Sequence, residues 1–184
     1  RFRADPLDEI AVDELLALAS LAPSVGNSQP WRFVKVKSPA LRAEVRANFE
    51  RCNRRALDAY EGERAKLYAS LKLAGLERAP VQIAVFADEA AAEGHGLGRA
   101  TMPETLAYSA VMAIYAFWLA ARARGIGMGW VSILDPAAVA RALAVPPSWR
   151  LVAYLCVGWP EEEHLDPELA RAGWQERLDP QRFV

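Results

Sequence analysis

Hydrophobic residues recur along this chain with two different periods. Apolar residues three or four positions apart predict amphipathic helices, and apolar residues at every second position predict half-buried strands. The pattern predicts helices over 8–20, 41–76 and 104–124, and strands over 31–37, 80–87, 128–134 and 151–157. The helices and strands interleave, without an internal repeat or a low-complexity linker. We therefore predict one domain over residues 1–184, with a sheet covered by helices on both faces.

Three of these segments depart from the ordinary amphipathic pattern. Residues 151–157 are apolar on both faces, which predicts a central strand. Residues 104–124 are apolar nearly all round, a pattern typical of a helix that is buried on every side or between two subunits. Residues 41–76 are helical but densely charged, with Gly62 as a break. This last segment is either a solvated arm or a lid over a site.

One connecting loop carries more hydrogen-bonding groups than a turn requires. Residues 22–31, Ala-Pro-Ser-Val-Gly-Asn-Ser-Gln-Pro-Trp, join the first predicted helix to the first predicted strand. The polar side chains of this loop are Ser24, Asn27, Ser28 and Gln29. They can present donors and acceptors together, while Gly26 lets the main chain approach a flat ligand closely. The loop is therefore either a ligand cradle or an ordinary polar turn that caps a helix.

Composition and charge narrow the classes of partner. The 184 residues are 53% hydrophobic, and 22 basic and 23 acidic side chains leave a net charge of −1. This balance gives no electrostatic reason to expect nucleic acid or an anionic membrane. No apolar segment free of charges reaches the roughly 18–20 residues that span a bilayer, so no membrane partner is expected. Cys52 and Cys156 lie in unrelated contexts, which favours a reducing, cytoplasmic compartment.

The familiar catalytic motifs are missing from the sequence. The two histidines, His95 and His164, have no acidic or cysteine companion at metal-ligand spacing, so no metal site is predicted. The glycines of residues 94–99 lack the Lys-Ser/Thr pair of a P-loop. Ser132 lacks the flanking glycines of a Gly-x-Ser-x-Gly elbow. If the chain is an enzyme, we expect an organic cofactor to supply the chemistry.

The loop at 22–31 resembles the flavin-binding loop of the nitroreductase-like flavoproteins. Within that superfamily, four further segments are similar to the 5,6-dimethylbenzimidazole synthases, so the resemblance extends over essentially the whole chain. These segments are residues 53–60, 96–105, 129–136 and 158–163. The resemblance implies an α+β, nitroreductase-like fold with a central mixed sheet. It also implies an intertwined homodimer whose active sites lie at the subunit boundary.

The resemblance also implies an unusual reaction, in which reduced FMN is the substrate. Enzymes of this family use dioxygen to fragment reduced FMN to 5,6-dimethylbenzimidazole, the lower ligand of cobalamin, and a tetrose phosphate. No nicotinamide site is evident in the sequence, so we expect a separate flavin reductase to supply the reduced FMN. Two alternatives stay open: an FMN-dependent NAD(P)H nitroreductase, and a non-catalytic flavin-binding protein.

Individual residues take their expected roles from the same resemblance. The expected flavin contacts in the loop are Ser24, Gly26, Asn27 and Gln29. Ser132 is the expected catalytic residue, whose hydroxyl could move a proton during fragmentation, and the main chain of Ile133 lies against the flavin ring edge. Arg171 is a candidate for the flavin phosphate. The alternatives are a Ser132 hydroxyl that bonds a main-chain carbonyl and an Arg171 that is simply exposed. Residues 41–76 match the family's lid.

One departure from the family pattern concerns the start of the chain. The family opens with a motif of the form Arg-Arg-Asp-Val-Arg-x-Phe, whose arginines hold the phosphate and whose aspartate is implicated in catalysis. Only its last two positions are present, as Arg1 and Phe2. We therefore expect that upstream residues are absent from this sequence, and that catalysis by these 184 residues alone is impaired.

Overall fold

A four-stranded antiparallel sheet forms the centre of the computed structural model, which describes residues 1–71 and 75–184. Its strands are β1 (Trp31–Lys35), β2 (Val81–Asp88), β3 (Gly127–Val131) and β4 (Trp149–Gly158), in the order β1-β2-β4-β3. The predicted α+β class and the inner position of β4 are confirmed. The predicted mixed sheet is wrong for one chain, because all three strand pairings within the described residues are antiparallel.

Helices cover both faces of this sheet, as predicted. The helices are α1 (Glu9–Ala19), α2 (Pro39–Leu57), α3 (Gly62–Ser70), α4 (Thr105–Ala123), α5 (Pro136–Ala142) and α6 (Glu168–Arg171). Side chains of β2 alternate between the faces: Ile83 and Val85 join the core under α1 and α4, whereas Ala84 and Phe86 join the core under α2 and α5. The sheet therefore separates two hydrophobic cores.

The charged segment 41–76 forms two helices, α2 and α3, separated at the predicted break. Ser38 Oγ accepts a hydrogen bond from the Leu41 N–H at 3.5 Å, and Pro39 occupies the first turn, where its missing N–H costs nothing. The break comes between Leu57 and Gly62, and Gly62 starts α3 with a φ of +55°. Residues 72–74 of the predicted lid lie outside the described residues.

Helix α4 is buried on one face only within one chain, so burial on every side does not hold and the predicted alternative, burial between two subunits, stays a prediction. Its buried face packs against the sheet and α1. Its other face exposes large apolar and aromatic side chains: Tyr108, Val111, Met112, Tyr115, Trp118 and Leu119. By length and hydropathy, α4 is long and apolar enough to cross a membrane when a few charged residues are allowed. Its run without a charged residue, 105–121, stays below the roughly 18–20 residues of the expectation. Packing of the buried face of α4 in the hydrophobic core explains the same apolar composition.

The first residues of the chain are held against the end of β4. The Arg3 N–H donates to the Trp159 carbonyl at 2.9 Å, and Phe2 is only 6% exposed. The Phe2 ring lies over glycines of β3 and β4, where it takes the place that side chains would occupy. A Cβ atom at Gly158 would lie 3.2 Å from Phe2 Cδ1 and 2.6 Å from Pro80 Cδ, whereas one at Gly129 would lie 3.7 Å from Phe2 Cζ.

These distances predict opposite results for two glycine-to-alanine substitutions. Gly158→Ala forces its Cβ into the Pro80 ring and should lower the free energy of unfolding by about 1–3 kcal/mol. Gly129→Ala makes ordinary contacts and removes backbone freedom from the unfolded chain, so its stability should match or slightly exceed that of the parent. Urea denaturation of the two variants and the parent measures the difference. Equal destabilisation by both substitutions would contradict this account of the glycines.

Candidate functional site

The loop at 22–31 folds as a tight turn with an unusual backbone conformation. Its centre is a short 3-10 turn over Val25–Asn27. Gly26, Asn27 and Gln29 have φ angles of +55°, +56° and +45°, in the left-handed region that non-glycine residues rarely adopt. The Ser24 hydroxyl accepts a hydrogen bond from the Gln29 N–H at 3.0 Å, which closes the turn across its base. Ser24 is therefore a structural support of the loop.

A second loop, which starts with a 3-10 turn over Glu93–Gly96, packs directly on the first. A Cβ atom at Gly26 would lie 3.0 Å from the Leu97 carbonyl oxygen, and one at Gly94 would lie 2.6 Å from the Gly26 carbonyl oxygen. The sequence predicts that a flat ligand occupies the space beside Gly26. The structure corrects this, because main-chain atoms of the second loop fill that space.

Together the two loops form an open groove. The groove is lined by Gly26, Asn27, Gln29, Ala92, Glu93, Gly94 and His95. Three of the predicted flavin contacts therefore line one groove, while Ser24 supports it. The Glu93–His95 segment was not predicted to take part, although its closely spaced glycines gave a signal of tight backbone packing.

Ser109 of α4 connects the 22–31 loop to the hydrophobic core, a role that was not predicted from the sequence. Its side chain is 4% exposed on α4. The Ser109 hydroxyl accepts a hydrogen bond from the Val25 N–H at 3.0 Å and donates to the Thr105 carbonyl at 2.7 Å. A lone hydroxyl on an apolar helix is the signal that could have identified this anchor.

Ser132 and Ile133 lie beyond the end of β3, in the loop that leads to α5. The predicted strand over 128–134 is too long, because pairing with β4 ends at Val131 opposite Tyr154. The Ser132 side chain is exposed, and Ile133 is half-buried in the core under α2 and α5. An exposed hydroxyl next to an anchored residue leaves Ser132 free to meet a ligand.

The groove and Ser132 lie on opposite edges and opposite faces of the sheet. The groove precedes β1 at one edge, and Ser132 follows β3 at the other. Three strand spacings of about 4.8 Å separate these edges by about 14 Å. Ala22 and Trp31, which flank the groove, pack on the α4 side, whereas Ile133 packs on the α2 side. One chain therefore does not bring the groove and Ser132 together.

Arg171 lies in a third place, among acidic side chains. Its guanidinium donates to the Asp166 carbonyl oxygen at 2.7 Å and to Asp166 Oδ1 at 2.9 Å. The hydrogen bond from Arg171 holds the pKa of the Asp166 carboxyl below its ordinary value. This small cavity is also lined by Arg1, Glu161, Glu162, His164 and Glu168. The structure does not place Arg171 in the groove.

The comparison with protein families places the chain among known enzymes. Residues 1–159 match the model of the nitroreductase family. The chain belongs to the nitroreductase family.

Within the nitroreductase family, the chain is similar to proteins named 5,6-dimethylbenzimidazole synthase. The protein of that name from Rhodospirillum rubrum is 62% identical over 176 residues, covering 96% of this chain and 83% of the relative. A protein of the same name from Rhodobacter capsulatus is 56% identical over 177 residues, covering 96% and 86%. The resemblance found in the sequence motifs is confirmed.

Solved structures of the nitroreductase family share the fold. Oxidized iodotyrosine deiodinase, in a crystal structure with bound FMN and 3-iodo-L-tyrosine, aligns with a TM-score of 0.75 at 24% identity, over 91% of this chain and 88% of that one. A BluB-like flavoprotein from Clostridium difficile aligns with a TM-score of 0.70 at 20% identity, over 100% and 91%. At these identities the structures establish the fold alone.

The two loops of the groove have features that suit a bound flavin. Two buried side-chain atoms in the described part of the chain lack a hydrogen-bond partner, Ser28 Oγ and Arg99 Nη1. Ser28 belongs to the loop at 22–31 and Arg99 follows the Glu93–Gly96 turn, although neither residue lines the groove itself. Buried polar atoms without partners are uncommon, and they mark places near the groove where an additional polar group would complete the hydrogen bonding.

No cluster of three or more possible metal ligands occurs in the described residues, where His164 contacts a single carboxylate, that of Glu162, at 3.0 Å. The two cysteines are free thiols, and burial raises the pKa of the Cys156 thiol to about 12. Cys156 is therefore a core residue, as the sequence indicated.

The packing of Gly26 predicts a result that a matched glycine can control. Gly26 and Gly62 have the same φ of +55°, but a Cβ at Gly62 would meet nothing within 4 Å. Alanine at either position should cost about 1–2 kcal/mol of backbone strain. Gly26→Ala should cost a further 1–3 kcal/mol, roughly, because its Cβ presses on the second loop. Chemical denaturation measures both variants, and equal losses of stability would show that the loops do not pack as described.

Proposed function

We propose that this chain is a 5,6-dimethylbenzimidazole synthase, which uses dioxygen to fragment reduced FMN to 5,6-dimethylbenzimidazole and a tetrose phosphate. The observation that carries the proposal is the 62% identity to a protein of that name, over 96% of this chain. When bound, reduced FMN supplies the electrons and the carbon framework that the reaction consumes. The protein's residues bind this substrate, orient it and hold protons near it.

The groove is the proposed flavin cradle. The side chains of Asn27 and Gln29 offer donors and acceptors to the polar edge of the ring, and Gly26 lines the same groove. Ser24 acts indirectly, because its hydroxyl already holds the Gln29 N–H. Arg171 is proposed to bind the flavin phosphate, which requires its guanidinium to exchange Asp166 for the phosphate.

Ser132 is the proposed catalytic residue, and Ile133 its neighbour at the ring edge. The exposed Ser132 hydroxyl can donate a hydrogen bond or transfer a proton at the reacting part of the ring. Ile133 is packed in the core, so its main chain supplies a fixed edge against which the ring rests. The arm formed by α2 and α3 is the proposed lid that excludes water from this site.

The active form is proposed to be a homodimer in which each site uses both copies. Within one chain the cradle and Ser132 lie at opposite edges of the sheet, which three strand spacings place about 14 Å apart. The exposed apolar face of α4 supports the dimer, because a second copy would remove Tyr115, Trp118 and their neighbours from water. The cradle of one copy then meets Ser132 of the other.

Two further parts of the proposal concern the source of reduced FMN and the cellular location of the protein. A separate flavin reductase is proposed to provide reduced FMN, because the cradle offers no evident second site for a nicotinamide. A cytoplasmic location is proposed because both cysteines are free thiols, which suits a reducing compartment.

A single reaction separates the proposal from its alternatives. Photoreduced FMN is mixed with the full-length protein in air without NAD(P)H, and the products are analysed by chromatography and mass spectrometry. The proposal predicts 5,6-dimethylbenzimidazole. Complete return of FMN would contradict it. A nitroreductase would then reduce nitroaromatics with NAD(P)H, and a flavin-binding protein would not.

Ser132→Ala should separate substrate binding from catalysis. The hydroxyl is proposed to act on the reacting ring, so its loss should leave the affinity for reduced FMN within about twofold of the parent. One positioned donor contributes about two to three orders of magnitude in rate, and product formation should fall by that factor while FMN and hydrogen peroxide return. Product yield within a few-fold of the parent would show that the Ser132 hydroxyl has no catalytic role.

A further inference from the structure

Asn48, in the middle of α2, is a polar side chain inside a hydrophobic core. It is 2% exposed and lies on the arm side of the sheet, close to Val45 and Phe49 along the same helix. A buried amide is destabilising unless its donors and acceptors find partners. Asn48 finds its main partner 87 residues further along the chain, at the main chain of Asp135.

The Asn48 amide forms a two-way bond with a single peptide segment. Asn48 Oδ1 accepts from the Asp135 N–H at 2.9 Å, and Asn48 Nδ2 donates to the Asp135 carbonyl oxygen at 3.0 Å. The Cys52 thiol lies 3.5 Å from the same Oδ1. These partners fix the orientation of the amide. In a flipped amide, Nδ2 would face the Asp135 N–H and Oδ1 would face the Asp135 carbonyl oxygen, so neither hydrogen bond could form.

This bond fixes one end of the loop that carries Ser132. Pairing of Val131 with Tyr154 in the sheet holds the start of the loop. The Asn48 bonds hold Asp135 at its end, and the Asp135 carboxylate also caps α5 by accepting from the Ala138 N–H at 3.1 Å. Three residues, 132–134, thus span two fixed points. Because Asn48 belongs to α2 of the proposed lid, these bonds tie that helix to the Ser132 loop.

We propose that Asn48 is a positioning residue for the reaction: it sets the place of the Ser132 hydroxyl and couples the arm to it. The proposal rests on the role of Ser132 in the proposed function. Asn48 itself does not touch the substrate. A displacement of about 1 Å at a reacting group can cost about 100-fold in rate, so loss of the Asn48 bonds is sufficient to impair Ser132.

The test uses a substitution that preserves the shape of the side chain. Asn48→Asp replaces the Nδ2 donor by an oxygen that repels the Asp135 carbonyl, so the segment must shift. We expect affinity for reduced FMN to stay within about threefold, and the fraction of FMN converted to 5,6-dimethylbenzimidazole to fall by about 10- to 100-fold. Cys52→Ala is the matched control: it removes a contact to the same Oδ1, retains both Asp135 bonds and should retain product formation.

A double variant distinguishes positioning from general damage. If Asn48 acts through the Ser132 hydroxyl, Asn48→Asp combined with Ser132→Ala should form as much product as Ser132→Ala alone. Independent, multiplied losses would overturn the proposal, as would parental product yield from Asn48→Asp. Should Asn48→Asp fail to fold by circular dichroism, the smaller Asn48→Ala replaces it in every comparison.

The experiments distinguish a wrong proposed function from a wrong role of Asn48. If the parent protein makes no 5,6-dimethylbenzimidazole, the function is wrong whatever the variants do. Hydrogen exchange then still tests the coupling: the Asp135 amide should exchange at least tenfold faster in Asn48→Asp than in the parent, roughly as for other opened loops. An unchanged exchange rate would show that Asn48 does not hold the loop.

Discussion

Hydrogen bonding between the strands imposes the constraint on which the site depends, because it fixes β1 and β3 at opposite edges of one sheet. The cradle immediately precedes β1 in the chain, and the loop that carries Ser132 immediately follows β3. Neither loop can cross the sheet to reach the other, since the inner strands β2 and β4 are buried under helices on both faces. Under the proposed function, this strand order divides the site of one chain into two half-sites.

The helices that support the cradle and the Ser132 loop lie on opposite faces of the sheet. Helix α4 supports the cradle through Ser109 on its buried face and leaves an aromatic and aliphatic face exposed. On the opposite face of the sheet, Asn48 ties α2 to the end of the Ser132 loop. Each half-site is therefore held by a helix through one buried polar side chain. Both supports are hydrogen bonds to main-chain groups, so they fix backbone positions and leave the groove and the Ser132 side chain open.

The sequence predicted local structure better than it predicted contacts. The turn at 22–31 and the inner strand β4 follow from patterns within a few residues. Ser109 and Asn48 were missed because their partners, Val25 and Asp135, are 84 and 87 residues away. The strand predicted over 128–134 ends early, because its pairing with β4 stops at Val131. The need for glycine at position 26 was recognised, but its neighbour proved to be the second loop.

Complementation between two inactive variants tests the shared site most directly. One chain carries Asn27→Asp with Gln29→Glu, which keeps the cradle's shape but makes it repel an anionic ring; the other carries Ser132→Ala. Each protein alone should form little 5,6-dimethylbenzimidazole. After mixing in equal amounts with subunit exchange, half of the dimers are mixed and each has one intact site, so about one quarter of parental activity should return. No recovery, with subunit exchange verified by mass spectrometry, would contradict a site built from two copies.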